Sequence, residues 1–164
     1  MIEITAQEEI LFDDSLQSTL APLRARGARI AVDDAGAGYA GLQQVMRMQA
    51  DIIKLDRSLI QDIHTDRVKA ALVRSLVHFA RETGAELCAE GIECLDELQT
   101  LVDIGVTLAQ GFVLARPAPA WGGLDPAAAA VCRSRPARVP DAGRETVFQP
   151  VGRSRAAHHV RRPV

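Results

Sequence analysis

The chain has 164 residues, 48% apolar and 24% charged, with a formal net charge of −2. That length admits one domain and little more, and that balance excludes a wholly disordered or collagen-like polymer. Three cysteines, Cys88, Cys94 and Cys132, are odd in number and lack CxxC spacing, which argues against a disulfide framework or a zinc ribbon.

The start, MIEITAQEEILFDD, is acidic and carries no basic region followed by an apolar run. No signal peptide is expected, and the reduced cytoplasm is the default setting. No stretch approaches the about 18 consecutive apolar residues of a membrane span. Ile2–Thr5 reads as a first strand. Ile10, Leu11, Leu16, Leu20 and Leu23 form an imperfect helical stripe across 10–26, closed by Gly27. The compact run ARIAV, 28–32, is a second strand. Leu42, Val45 and Met46 indicate a short helix, and DIIKL, 51–55, a third strand. Val68, Ala71, Leu72, Leu76, Phe79 and Ala80 sit at helical spacing ahead of Gly84. ELCA, 86–89, is a fourth strand. Leu95, Leu98, Leu101 and Val102 give another helical face ending at Gly105, and 109–114 is the fifth strand. This rhythm predicts an α/β fold with a parallel sheet of about five strands and helical crossovers. A complete (β/α)8 barrel takes about 250 residues, so only part of one fits.

From Asp125 onward the composition changes. Residues 1–124 carry 11 Lys+Arg and 18 Asp+Glu; residues 125–164 carry 8 Arg and 3 acids. The second segment is rich in Ala, Arg and Pro and shows no sustained apolar period, so a disordered basic tail is expected over 125–164. Arg133, Arg135, Arg138, Arg161 and Arg162 have the charge to touch nucleic acid, but no aromatic interleaving supports binding. A solvated extension is expected, with no metal role for His158 and His159.

Polar residues repeat one placement. Glu3 lies in the first strand, Asp33 and Asp34 close the second, and Lys54 and Asp56 end the third. Glu90 closes the fourth with Glu93 just beyond, and Gln110 lies in or beside the fifth. In parallel α/β folds the carboxyl ends of strands bind ligands, so these groups are expected to meet. Clustered carboxylates stay ionised together when cations neutralise them, and their hard oxygens suit Mg²⁺ or Mn²⁺. Each residue alone also has an ordinary use as a cap, turn or surface group. Glu8, Glu9, Asp13, Asp14, Asp96 and Glu97 read as solvated helix faces.

The ordered segments EIT (3–5), VDDAGAGYAGL (32–42), DIIKLD (51–56), CAEGIE (88–93) and AQGFVLARP (109–117) resemble the EAL-domain family. That resemblance covers about residues 1–120. It implies a modified (β/α)8 barrel, two Mg²⁺ or Mn²⁺ ions, and hydrolysis of cyclic di-GMP to linear pGpG. It makes Glu3, Asp33, Asp34 and Asp56 metal ligands, places Lys54, Glu90 and Gln110 at the reaction centre, and sets Glu93 toward substrate. It also implies a homodimer through the loop after Asp34, with no membrane or nucleic acid polymer as partner.

The departures are specific. The family's Glu-Ala-Leu segment and an asparagine ligand, both from the N-terminal half of the barrel, have no counterpart. The second glutamate of E-[IL]-T-E is Ala6, and the loop after Asp34 has Ala35, Ala40 and Gly41 where the family has Phe and two Ser. A partial barrel with marginal stability is therefore expected. Two main readings of function remain open: a metal-dependent phosphodiesterase, or a non-catalytic module that binds the nucleotide or a partner. A different metal-dependent barrel enzyme, or a fragment without autonomous function, completes the range.

Overall fold

Short apolar runs set the frame. In the computed structural model, which describes residues 1–5, 14–35, 39–118 and 122–134, the strands are β1 (Ile2–Thr5), β2 (Ile30–Asp33), β3 (Ile52–Leu55), β4 (Glu86–Ala89) and β5 (Leu108–Ala109). They pair in parallel in the order β1-β2-β3-β4-β5. Ile4 lies opposite Val32, Val32 opposite Ile53, and Ile53 opposite Leu87. Side chains alternate across a strand. Ile30, Val32, Ile53, Leu55, Leu87 and Ala89 therefore share one face and join the main core. Ala31, Ile52 and Cys88 share the opposite face as a small separate cluster. Burial on both faces explains why β2 and β3 read as continuous apolar runs rather than as alternation.

Helices fill the crossovers: α1 (Asp14–Ala25), α2 (Tyr39–Met48), α3 (Arg57–Ile60), α4 (Arg67–Thr83), α5 (Leu95–Ile104) and α6 (Pro126–Arg133). Arg24 at the end of α1 donates to the carbonyls of Met48 (2.6 Å) and Gln49 (2.9 Å), which ties α1 to the end of α2. Asp66 caps α4 by accepting the N–H groups of Val68 (2.8 Å) and Lys69 (3.1 Å).

Three sequence expectations shift. The stripe expected on α4 docks only along its later part: Ala80 is buried and Leu76 and Phe79 pack on the core, but Leu72 is exposed and Val68 is 78% exposed, while Val73, at 0%, and Val77 are buried. The docked face centres on Val73, Val77 and Ala80, with Leu76 and Phe79 at its side. The fifth strand, expected over 109–114, is the two-residue β5, because the chain turns at Gly111, whose carbonyl accepts the N–H groups of Leu114 (3.1 Å) and Ala115 (3.3 Å). The helix expected from residue 10 is described from Asp14; residues 6–13 lie outside the described residues.

Regular structure also continues past the boundary expected at 124. Asp125 accepts the N–H groups of Ala127 (2.9 Å) and Ala128 (3.1 Å), and Pro126 occupies the first turn of α6. Ala128 is fully buried, and α6 packs on α5. Arg133 ends α6; residues 135–164, with Arg135, Arg138, Arg161, Arg162, His158 and His159, lie outside the described residues. Among the described residues no helix is long and apolar enough to cross a membrane.

Candidate active site at the strand ends

Strand parity places Glu3, Asp33, Lys54 and Cys88 on the face opposite the main core. Lys54 is buried, and its Nζ lies 2.8 Å from Glu90 Oε1, 3.3 Å from Glu3 Oε2 and 3.3 Å from Asp33 Oδ1. Three carboxylates from β1, β2 and the end of β4 thus converge on one ammonium from β3. Burial pulls the Lys54 ammonium toward neutrality. The hydrogen bond and charge of Glu90, with the bonds to Asp33 and Glu3, more than offset that pull and hold it above the usual lysine range. Burial likewise pushes Glu90 above the usual carboxylate range. The bond and charge of Lys54 oppose this, while nearby Asp33 adds to it. Cys88, next to Lys54 across the ladder, has its thiol pushed up to about 11 by burial and then by the charge of Glu90.

The other sequence-predicted residues stand around this centre. Asp34 has φ +55°, and its N–H donates to Asp33 Oδ1 (3.0 Å), which aims the Asp33 carboxylate. Asp56 caps α3, accepting the Ser58 N–H (2.9 Å); the bonds from Ser58 hold its carboxyl below the usual range. Glu93 pairs with Arg57 at 2.8 Å. Gln110 is exposed and is fixed by its backbone: its N–H donates to Ala89 (2.8 Å), and its carbonyl accepts from Ile92 (3.2 Å). Asp56, Glu93 and Gln110 are therefore at the same end of the sheet without touching Lys54.

One expectation is corrected. Glu97 is no solvated helix residue: it is 4% exposed, and its carboxylate accepts the N–H groups of Asp62 (2.9 Å), Glu93 (3.0 Å) and Cys94 (3.3 Å). It braces the loop that follows Glu90 against the turn before α4. The signal was the Cys94-x-x-Glu97 spacing at a helix start, a capping box with cysteine where serine or threonine is usual. Arg57, the partner of Glu93, also passed unnoticed in the sequence. Its stem packs where a side chain at Gly91 would go: a Cβ added there would lie 2.9 Å from Arg57 Cβ.

Comparison with known proteins decides the family. The model of the EAL domain matches residues 1–117. This chain belongs to the EAL domain family. It is 35% identical over 119 residues to the probable cyclic di-GMP phosphodiesterase PdeA of Escherichia coli, covering 73% of this chain and 16% of PdeA. It is 36% identical over 125 residues to the cyclic di-GMP phosphodiesterase RocR of Pseudomonas aeruginosa, covering 76% of this chain and 32% of RocR. Among solved structures, the calcium and cyclic di-GMP complex of Klebsiella pneumoniae BlrP1 matches at TM-score 0.67 and 40% identity, over 75% of this chain and 32% of BlrP1. The cyclic di-GMP-bound form of a standalone EAL protein from Vibrio cholerae matches at TM-score 0.70 and 29% identity, over 77% of this chain and 54% of that one. BlrP1 has also been solved as a manganese and cyclic di-GMP complex. The EAL chain therefore spans well under two thirds of these relatives, and its parallel sheet corresponds to part of their TIM-type barrel.

Proposed function

We propose that this EAL chain carries the strand-end machinery of a divalent-metal-dependent phosphodiesterase acting on cyclic di-GMP, with linear pGpG as product. The observation that carries the reading is the convergence of Glu3, Asp33 and Glu90 on Lys54 at the carboxyl ends of parallel strands. With Asp34 and Asp56 nearby, the carboxylate donors are hard oxygens and outnumber Lys54, the buried cation among the described residues, which fits Mg²⁺ or Mn²⁺. Glu3, Asp33, Asp34 and Asp56 are the residues that would hold such ions. When bound, the ions supply Lewis acidity and neutralise phosphate charge.

The chain's own groups divide the remaining work. Lys54 keeps the carboxylates spaced and offers N–H donors to the attacking water. Glu90, whose carboxyl burial raises, is placed to take that water's proton. The water oxygen joins phosphorus, one phosphodiester P–O bond breaks, and the leaving ribose oxygen takes up a proton. Glu93 and Gln110, at the rim, face the nucleotide. A second copy docking through the loop after Asp34 completes the proposed assembly; residues 36–38 of that loop lie outside the described residues.

A second reading, a module that binds the nucleotide without turnover, draws on Ala6 standing where the family has a glutamate. Chromatography of cyclic di-GMP incubated with the chain and Mn²⁺ separates the two. Linear product that falls by about 10²–10⁴-fold in Asp33→Asn and Lys54→Ala supports the hydrolase. Unchanged product in both variants overturns the residue assignment. Saturable binding without product supports the binding module.

A further inference from the structure

A second cluster of ligating side chains lies outside the strand-end centre. The donor atoms of His64, Cys94 and Glu97 all lie within 4.8 Å of one another. His64 comes from the connection between α3 and α4, whereas Cys94 and Glu97 open α5. Nitrogen, sulfur and oxygen donors from two separate segments therefore meet at one point. We propose that His64, Cys94 and Glu97 form an independent site for a borderline-soft divalent ion of the zinc class.

The donor chemistry separates this site from the first. Imidazole and thiolate select zinc-like ions, and the all-oxygen set at the strand ends selects magnesium-like ones. Ligands around a tetrahedral zinc stand about 3–4 Å apart, so the three donors need only a small inward closure. His64 is exposed and free to make that adjustment, while Glu97 is buried and held by three backbone N–H bonds. The site is thus half rigid and half adaptable, with a solvent side where water completes the coordination.

The lone-pair accounting leaves room for the ion. A carboxylate offers about four acceptor positions, and backbone N–H groups take three at Glu97. That leaves about one position, and the sulfur of the Cys94 thiol lies within 4.8 Å of the carboxylate. Metal binding replaces that thiol proton, which leaves to solvent as Cys94 becomes the thiolate ligand. The bound ion would clamp the α3–α4 connection to the start of α5, directly beside the loop bearing Glu90 and Glu93.

Titration of the EDTA-treated full chain with Co²⁺, followed by Zn²⁺ competition, tests the site. A sulfur-to-cobalt charge-transfer band in the near ultraviolet, saturating at one equivalent and erased by Zn²⁺, is expected. Cys94→Ser keeps a helix-capping side chain and should abolish the band; His64→Ala alters an exposed residue and should weaken Co²⁺ binding at least about tenfold. Circular dichroism verifies that both variants stay folded. Cys88 lies beside the strand-end carboxylates, so loss of the band in Cys94→Ser separates the two sites, and failure here is distinct from failure of the phosphodiesterase reading. No band in the native sequence, a band that survives Cys94→Ser and so arises from Cys88 or Cys132, or unchanged affinity in His64→Ala each overturns the proposal.

Discussion

Lys54 and Glu97 are the buried charged residues among those described, and opposite partners keep each one ionised. Carboxylates surround the lysine; backbone N–H groups surround the glutamate. Burial alone pushes the Glu97 carboxyl up, but the bonds from Glu93, Asp62 and Cys94 outweigh it and hold the group below its ordinary 4.5. A carboxyl lowered in the folded state adds stability above its ordinary value, and that stability is lost as the pH falls through the folded value. Glu97→Gln replaces one acceptor oxygen by an NH₂ group that points donors at donors. It should cost about 1–3 kcal/mol in urea unfolding at pH 7. The gap between the two proteins should shrink as the pH falls below 4.5 and through the lowered value of the native carboxyl, where it also becomes protonated. A gap independent of pH would mean that packing, not the ionised carboxylate, holds this loop. A charged residue four positions after Glu93 reads as solvent-facing by type alone. Its burial comes from tertiary packing against the turn at Asp62, which no local pattern encodes.

At the scale of elements, two packing choices are open to experiment. The buried face of helix α4 centres on Val73, and Val68 and Leu72 at the start of the expected stripe stay exposed. Val73→Ala should cost about 2 kcal/mol in denaturant unfolding, because it empties a fully buried position. Val68→Ala should stay within about 0.5 kcal/mol, since its side chain is 78% exposed. Equal costs would place the wrong face on the core. The turn after β5 rests on Gly111, where an added Cβ would collide with the backbone N and carbonyl of Ile92. That backbone is fixed by bonds of its own: Ile92 N–H donates to Gln110, and Val113 N–H donates to Ile92 (3.1 Å). Gly111→Ala should therefore push the loop carrying Glu90 away from the strand ends. A fall in thermal midpoint together with weaker nucleotide binding is expected; a variant that matches the native protein in both would show that the loop yields freely. The sequence announced a strand through this turn because 109–114 is apolar apart from Gln110. It could not show that a close backbone approach ends the strand after two residues.

Across the whole molecule, the legible part was what depends on chain order. Apolar runs separated by helical stripes and glycines placed five strands, and the position of Glu3, Asp33, Lys54 and Glu90 in or at the ends of those strands brought them together. The less legible part was what depends on contacts between distant segments: the burial of Glu97, the choice of face on α4, and α6 packing beyond residue 124. The same distinction governs stability. Among the described residues β1 and β5 each pair on one side only, so the sheet has two open edges beside its carboxylate cluster. Among the described residues Lys54 is the ammonium that relieves repulsion among Glu3, Asp33 and Glu90, and added divalent cations with a bound phosphodiester should relieve it further. A ligand that binds only the folded state adds about 2.7 kcal/mol at 100 times its Kd. For a chain of this size that corresponds to a rise of about 5–10 °C in thermal midpoint. The rise should require cyclic di-GMP and Mn²⁺ together, exceed that with Mn²⁺ alone, and disappear in Asp33→Asn. A midpoint that ignores both ligands would mean that these strand ends do not assemble a binding site within this chain, whatever the relatives do with theirs.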